Sequence, residues 1–351
     1  VKTSLLAPAN KPTIRDIAAV AGVSASTVSR VLNNQETSIK VTPETKEKIM
    51  AAVRQLDYSP NINAKRLWAD KTFTLGLVVP SALRNFGTHI FSDTPFQETL
   101  CGLEDILSGS QYRLMLIFQN EQFLTTQEYM RLFKEKILDG LIIWGAGEQD
   151  KYIAEIASYP VVVVNSFPQI DCEFNRIGAD QEQGSYALTE YMIGRGHRRF
   201  LYLGSLPGNS IARERIAGFR RAISTHGLAI QEANIVPCHY TRDAGYQAMD
   251  KIMRENKMEY DAVCTGNDEI ALGVFLAAQK HGKKIPADFA LAGADGTSGQ
   301  STDFLPLTTY KIDSRQMGEA AMRTMLQMLS GEIGKPVNIV FAPKLVIRQT
   351  V

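Results

Sequence analysis

The 351-residue chain reads as an α/β protein in two parts: a small three-helix head with a helix-turn-helix and a hinge helix, then a large, two-lobed, doubly wound α/β body. Three observations predict this. Helix signals crowd the N-terminal segment, short apolar runs alternate with amphipathic stretches from Thr74 onward, and charge is unevenly shared. Residues 1–72 hold 11 Lys/Arg against 6 Asp/Glu, leaving 27 of the 38 basic and 31 of the 37 acidic residues to the rest. A net-positive head on a net-negative body suits a module that meets a polyanion, joined to one with a different task. With 44% hydrophobic residues the chain can fill more than one core.

In the head, Thr13 is a good N-cap with Asp16 three residues on, and Ile14, Ile17, Ala18 and Ala21 fall on one helical face. Gly22-Val23 makes a turn, Ser24 caps a second helix with Val28, Val31 and Leu32 inward, and Asn33-Asn34 ends it. Two helices joined so tightly match the helix-turn-helix, whose second helix presents its N-terminal residues to base edges in the major groove. Thr42-Pro43 opens a third helix with Ile49, Ala52, Val53 and Leu56 on one face. The outward residues Ala25, Ser26, Ser29 and Arg30 are then base or phosphate contacts; a solvated or protein-docking three-helix bundle is the alternative.

The segments TIRDIAAVAGVSASTVSRVLN, VTPETKEKI and LDYSPNINAKRL resemble, in order and spacing, the DNA-binding head of the lactose/galactose repressor family, and the resemblance continues through nearly the whole chain. It implies a regulator that binds double-stranded DNA at a pseudo-palindromic operator as a homodimer. Its body would be periplasmic-binding-protein-like and would hold a small effector between the lobes, carbohydrate-like in class with a purine as the alternative. Ala25, Ser26 and Arg30 are the implied base readers, and Thr13, Ser24, Thr27, Ser29 and Asn33 the phosphate or turn-framing residues. The implied boundaries are 1–60 for the head, 61–72 for the hinge helix and linker, and 73–351 for the effector-binding and dimerisation domain. Its first lobe takes about 73–174 and 311–337, its second about 175–310 and 338–351.

The hinge YSPNINAKRLWADKT is polar and short, so a helix of about eight residues from Asn61 is too short to hold alone in water and is expected to fold on paired DNA. There the resemblance makes Leu67 a wedge between base pairs of the minor groove, with Ala64 at a close helix-helix or groove contact, Lys65 and Arg66 near phosphates, and Asn61 also a DNA-binding residue. Trp68 is expected to pack as a lid on the body in preference to touching DNA.

In the body, LGLVVP, RLMLIF, GLIIW, VVVV, RFLYLG, AVCTGN and FALAGAD read as parallel strands covered on both faces by helices. Ligands of such folds lie beyond the carboxyl ends of strands, where Asn267-Asp268, Asp295 and the Arg213/Arg215 segment stand. These polar groups suit a hydroxylated or anionic small molecule, or else cap helices and form surface pairs. The resemblance chooses Arg213 ahead of Arg215, and adds Asn267, Asp295, Tyr240, Phe96 and Asn165 as effector contacts. The loop SALRNFGTHIFSDTPF departs from the family pattern by its length and by Ser-Asp-Thr-Pro-Phe in place of Asn-Pro-Phe-Phe. Met322, Met325, Leu326 and Leu329 form a stripe expected to be core.

Enzyme chemistry has no support in the residues. No G-x-S-x-G or G-x-G-x-x-G follows a strand, and His89, His197, His226, His239 and His281 have no partner motif. Cys101, Cys172, Cys238 and Cys264 are isolated, as expected of reduced thiols that hold no metal. No cofactor is called for. The N-terminal VKTSLLAPANKPT has no apolar leader and no tetramerising tail follows the last strand, so a soluble, cytoplasmic dimer away from any membrane is expected.

Overall fold

The computed structural model describes residues 12–32, 41–59, 66, 69–80, 90–204, 208, 210–255, 259–297 and 305–351. The chain divides into two units, Val1–Thr72 and Phe73–Val351.

The first unit holds α1 (Ile14–Ala21), α2 (Ala25–Leu32) and α3 (Pro43–Gln55). Each start is fixed by a bond from a backbone amide to a side chain three residues away. Asp16 accepts from the Thr13 N–H at 2.7 Å, Ser24 Oγ from the Thr27 N–H at 3.1 Å, and Thr42 Oγ1 from the Thr45 N–H at 3.3 Å. Gly22 ends α1 at φ +68°, where a side chain would be strained. Ile17, Ala18, Val28, Val31, Ile49 and Ala52 close over one another as the small core.

The second unit runs β1 (Thr74–Pro80), α4 (Thr94–Leu107), β2 (Arg113–Gln119), α5 (Glu121–Thr125), α6 (Glu128–Lys134), β3 (Gly140–Trp144), α7 (Tyr152–Ile156), β4 (Val161–Val164), β5 (Asn175–Ala179) and α8 (Gln181–Gly194). It continues with β6 (Phe200–Leu203), α9 (Ser210–Thr225), β7 (Ile235–Val236), α10 (Arg242–Arg254), β8 (Ala262–Thr265), α11 (Asp268–Lys280) and β9 (Ala290–Ala292). Last come β10 (Thr309–Lys311), α12 (Ser314–Ser330), β11 (Asn338–Phe341) and β12 (Lys344–Val346). The strands form a six-stranded sheet in the order β11-β5-β4-β3-β1-β2, a four-stranded sheet β7-β6-β8-β9, and a β10-β12 ribbon. The two large sheets are parallel throughout and the ribbon antiparallel.

The apolar runs need cover on both faces because successive side chains alternate. Leu75, Leu77, Ile142, Val162 and Val164 pack with Phe96, Leu103, Met322 and Met325 on one face, while Val78, Leu141, Ile143, Val161 and Val163 pack with Leu132, Phe133 and Ile153 on the other. Met322 and Met325 are fully buried, as the core reading of that stripe expects. Helices lie on the sheets in close pairs. A Cβ added at Gly218 of α9 would stand 2.0 Å from the Glu182 carbonyl oxygen of α8, and one at Gly102 of α4 would stand 1.9 Å from that of Arg315 on α12. The backbones touch because no side chain separates them.

Two boundaries differ from expectation. The resemblance places residues 175–310 and 338–351 in the second lobe, but β5 pairs with β4 and β11 with β5, so both strands belong to the first sheet. Asn175 reinforces this edge, donating to the Val161 carbonyl at 2.9 Å and accepting from the Val337 N–H at 3.1 Å. An apolar run marks a buried strand without saying which sheet it joins.

Candidate functional site

On the head, Ser24 and Ser26 are exposed and Ala25, Thr27, Ser29 and Arg30 partly so, all at the start or along the outward side of α2. Ser24 Oγ lies 2.8 Å from both Ser26 Oγ and Thr27 Oγ1, a hydroxyl cluster at the positive end of the helix. Thr13 is exposed, and its hydroxyl and, after it, its amide hold the Asp16 carboxyl below the ordinary carboxylate range. This is a surface of small donors and one guanidinium, suited to phosphate and base edges. Asn33, Asn61, Ala64, Lys65, Leu67 and Trp68 lie outside the described residues; Arg66 is partly buried, with helical backbone.

On the body, residues beyond the carboxyl ends of β6, β8 and β9 converge on one guanidinium. Arg215 is buried, its Nε donating to Gln181 Oε1 at 2.9 Å, Nη1 to the Gly266 carbonyl and Nη2 to Asp295 Oδ1. It also lies 5.6 Å from the centre of the Tyr310 ring. Burial works against its charge, but Asp295, Tyr310 and Tyr240 outweigh that and raise its pKa. Asp295 sits at φ +93° just after β9, an orientation that turns its carboxylate toward Arg215.

The first lobe meets this group with two carboxyls. Asp93 caps α4, accepting from the Phe96 N–H at 2.8 Å. Burial, with the Asp295 charge adding to it, pushes the Asp93 carboxyl up to about 7. Glu148, in the loop after β3, pairs with Arg213 on the first turn of α9. Beside it, the Glu148 N–H donates to the Gly208 carbonyl at 3.3 Å and the Phe167 N–H to Ser210 Oγ at 3.2 Å. Trp144, last residue of β3, is buried with its indole Nε1–H lacking an acceptor among the described residues. No group of His, Cys, Asp and Glu that could hold a metal occurs among the described residues.

The sequence-predicted contacts are placed unequally. Asp295 and Tyr240 stand at the Arg215 centre. Asn165 follows β4 at φ +77°, partly exposed. Asn267 caps α11, its Oδ1 accepting from the Ile270 N–H at 2.9 Å while its Nδ2 donates to the Tyr240 carbonyl at 3.3 Å. Phe96 differs from expectation: it is 1% exposed and edge-on to Trp144 at 5.2 Å, so its ring packs in the core and offers no open face. Arg213 stands at the rim, 47% exposed, and the central place is taken by Arg215. Two residues along a helix face nearly opposite ways, so only one of these arginines can point inward. Asp93, Glu148 and Trp144 were missed; the strand-end position of Trp144 was the available signal.

Residues 13–61 match the family described as bacterial regulatory proteins, lacI family, and residues 189–351 match a periplasmic binding protein-like domain. Over 342 residues the chain is 30% identical to the HTH-type transcriptional repressor PurR of Vibrio campbellii, spanning 97% of this chain and 98% of that protein. The chain belongs to the lacI family. It is therefore a DNA-binding transcriptional regulator with a helix-turn-helix head and an effector-binding body, in a family of regulators rather than enzymes. A second relative of this lacI-family chain, catabolite control protein A of Priestia megaterium, is 28% identical over 322 residues, 91% of this chain and 93% of that one. The lac repressor dimer bound to operator and the anti-inducer ONPF matches with a TM-score of 0.81 at 25% identity, covering 97% of this chain and 99% of that one. A CelR–cellobiose complex shares the fold, with a TM-score of 0.71 at 23% identity over 97% of this chain and 100% of that one. No helix among the described residues is long and apolar enough to cross a membrane.

Proposed function

We propose that this lacI-family regulator represses carbohydrate-use genes and that a sugar, sugar acid or sugar phosphate, held at the carboxyl ends of the two sheets, sets its operator affinity. The observation that carries this reading is the Arg215–Asp295 pair facing Asp93, together with the Trp144 indole N–H at the carboxyl end of β3, which lacks an acceptor among the described residues. Carboxylates accept and an indole N–H donates, and sugar hydroxyls can answer both. Asn165, Tyr240 and Asn267, which follow β4, β7 and β8, supply further polar groups to this reading. On the head, Ala25, Ser26 and Arg30 read bases, while Thr13, Ser24, Thr27 and Ser29 engage phosphates.

The operator is double-stranded and pseudo-palindromic, read by a homodimer. Support for the dimer comes from Phe91 and Phe118, 52% and 49% exposed with ring centres 6.4 Å apart beside the edge strand β2. The effector shifts operator affinity only by as much as it prefers one lobe arrangement over another. A purine effector is the second reading, favoured by the PurR relative.

A thermal-shift screen of neutral sugars, sugar acids, sugar phosphates and purines tests this, followed by operator binding by fluorescence anisotropy. A stabilising sugar-type compound must also change operator affinity. Stabilisation by purines alone would transfer the reading to the nucleobase class, and a screen in which nothing both binds and alters DNA affinity would remove it.

A further inference from the structure

Both cleft guanidiniums already have protein carboxylates for partners. Each nitrogen of Arg215 has an acceptor: Gln181 Oε1, the Gly266 carbonyl and Asp295 Oδ1. Arg213 is paired with Glu148, which reaches it from the loop after β3 in the other sheet. That loop is anchored independently of the ion pair. The Glu148 N–H donates to the Gly208 carbonyl at 3.3 Å, and its own carbonyl accepts from the Gln169 N–H at 3.1 Å. The Glu148 side chain is 23% exposed and that of Arg213 47%, so the pair stands at the rim where an incoming ligand passes. Asp93 and Asp295 add further carboxyls on the inner side. An anionic ligand would have to strip Glu148 from Arg213 and then lie against these acids, whereas a neutral one leaves both pairs intact.

We infer that Glu148 is a specificity-determining residue: by occupying Arg213 it closes the cleft's accessible cationic site and restricts the effector to uncharged, hydroxyl-bearing compounds, excluding sugar acids and sugar phosphates. This rests on the reading of the cleft as the effector site and narrows its ligand class. Glu148 is thus an internal competitor for anions. Removing its charge while keeping its shape opens Arg213 to them.

The test uses the full-length protein and inorganic phosphate as the anionic probe, by isothermal titration calorimetry, on the parent, E148Q and the double variant E148Q/R213A. E148Q is expected to bind phosphate about fivefold more tightly than the parent, the size of effect an exposed ion pair can exert. Adding R213A returns affinity to the parent's weak value. Equal phosphate affinity in parent and E148Q overturns the proposal, as does a gain in E148Q that survives R213A, since phosphate is then held elsewhere. In the companion screen, the parent is expected to respond to neutral saccharides and not to gluconate or glucose 6-phosphate; a parent that prefers the charged compounds refutes the charge filter. If no saccharide of either kind acts, the effector reading fails, while the phosphate titrations still decide the role of Glu148.

Discussion

The head and the body are each held by internal bonds, and the two sets differ greatly in reach. In the head, the caps Thr13–Asp16, Ser24–Thr27 and Thr42–Thr45 all join residues three apart. In the body, Arg215 gathers partners 34, 51 and 80 residues away. A cap forms as soon as its turn forms, so each head helix carries its own start signal. The Arg215 centre exists only when three strand ends have already been brought together. Damage in the head should therefore be local and modest, and damage at the body's centre should spread.

The largest effect is expected from Arg215→Ala, which leaves Asp295 without its partner in the interior; denaturant unfolding should show a loss of about 3–5 kcal/mol. Unchanged stability would mean the centre is not a structural joint. Next, Gly218→Ala places a Cβ against the Glu182 carbonyl, and forcing α8 from α9 should cost about 1–3 kcal/mol by the same measurement. Arg30→Ala should leave stability alone and lose about 1–3 kcal/mol of operator affinity at one base position, measured by anisotropy with single-base operator variants. Equal loss on every variant would make Arg30 a phosphate contact.

Asp93→Asn keeps the α4 cap acceptor and removes the charge. With its folded pKa raised from 3.8 to about 7, the Asp93 contribution to stability is complete below pH 3.8 and is lost as pH rises through about 7. The parent should therefore lose stability relative to the variant across that window; parallel pH profiles would show that the carboxyl ionises freely. The smallest effect belongs to Thr13→Ala, which removes one exposed cap oxygen and should cost about 1 kcal/mol of head stability, read by the thermal melt.

These contrasts also explain what was legible beforehand. The three head helices start where Thr13, Ser24 and Thr42 announce them, and the apolar runs from Leu75 to Leu291 became strands. Asp295 was legible because it directly follows an apolar run, and strand ends point to ligands. The choice between Arg213 and Arg215 was not, since ARER offers two guanidiniums on opposite sides of one helix and nothing local says which side meets the sheet. Phe96 misled for a related reason: an aromatic at a helix start can face ligand or core, and Trp144 on β3 claims it for the core.

By itself the sequence determined the elements: the caps, the amphipathic faces, the two-sided apolar strands and the split of charge between head and body. Those depend on neighbours within a few residues, whose geometry is fixed by the periods of helix and strand. Only the tertiary structure decided that β5 and β11 extend the first sheet, that Arg215 lies at the centre, and that Glu148 holds Arg213 at the rim. Such choices depend on which surfaces meet across tens of residues of chain, and a single side chain carries no local record of its distant partner.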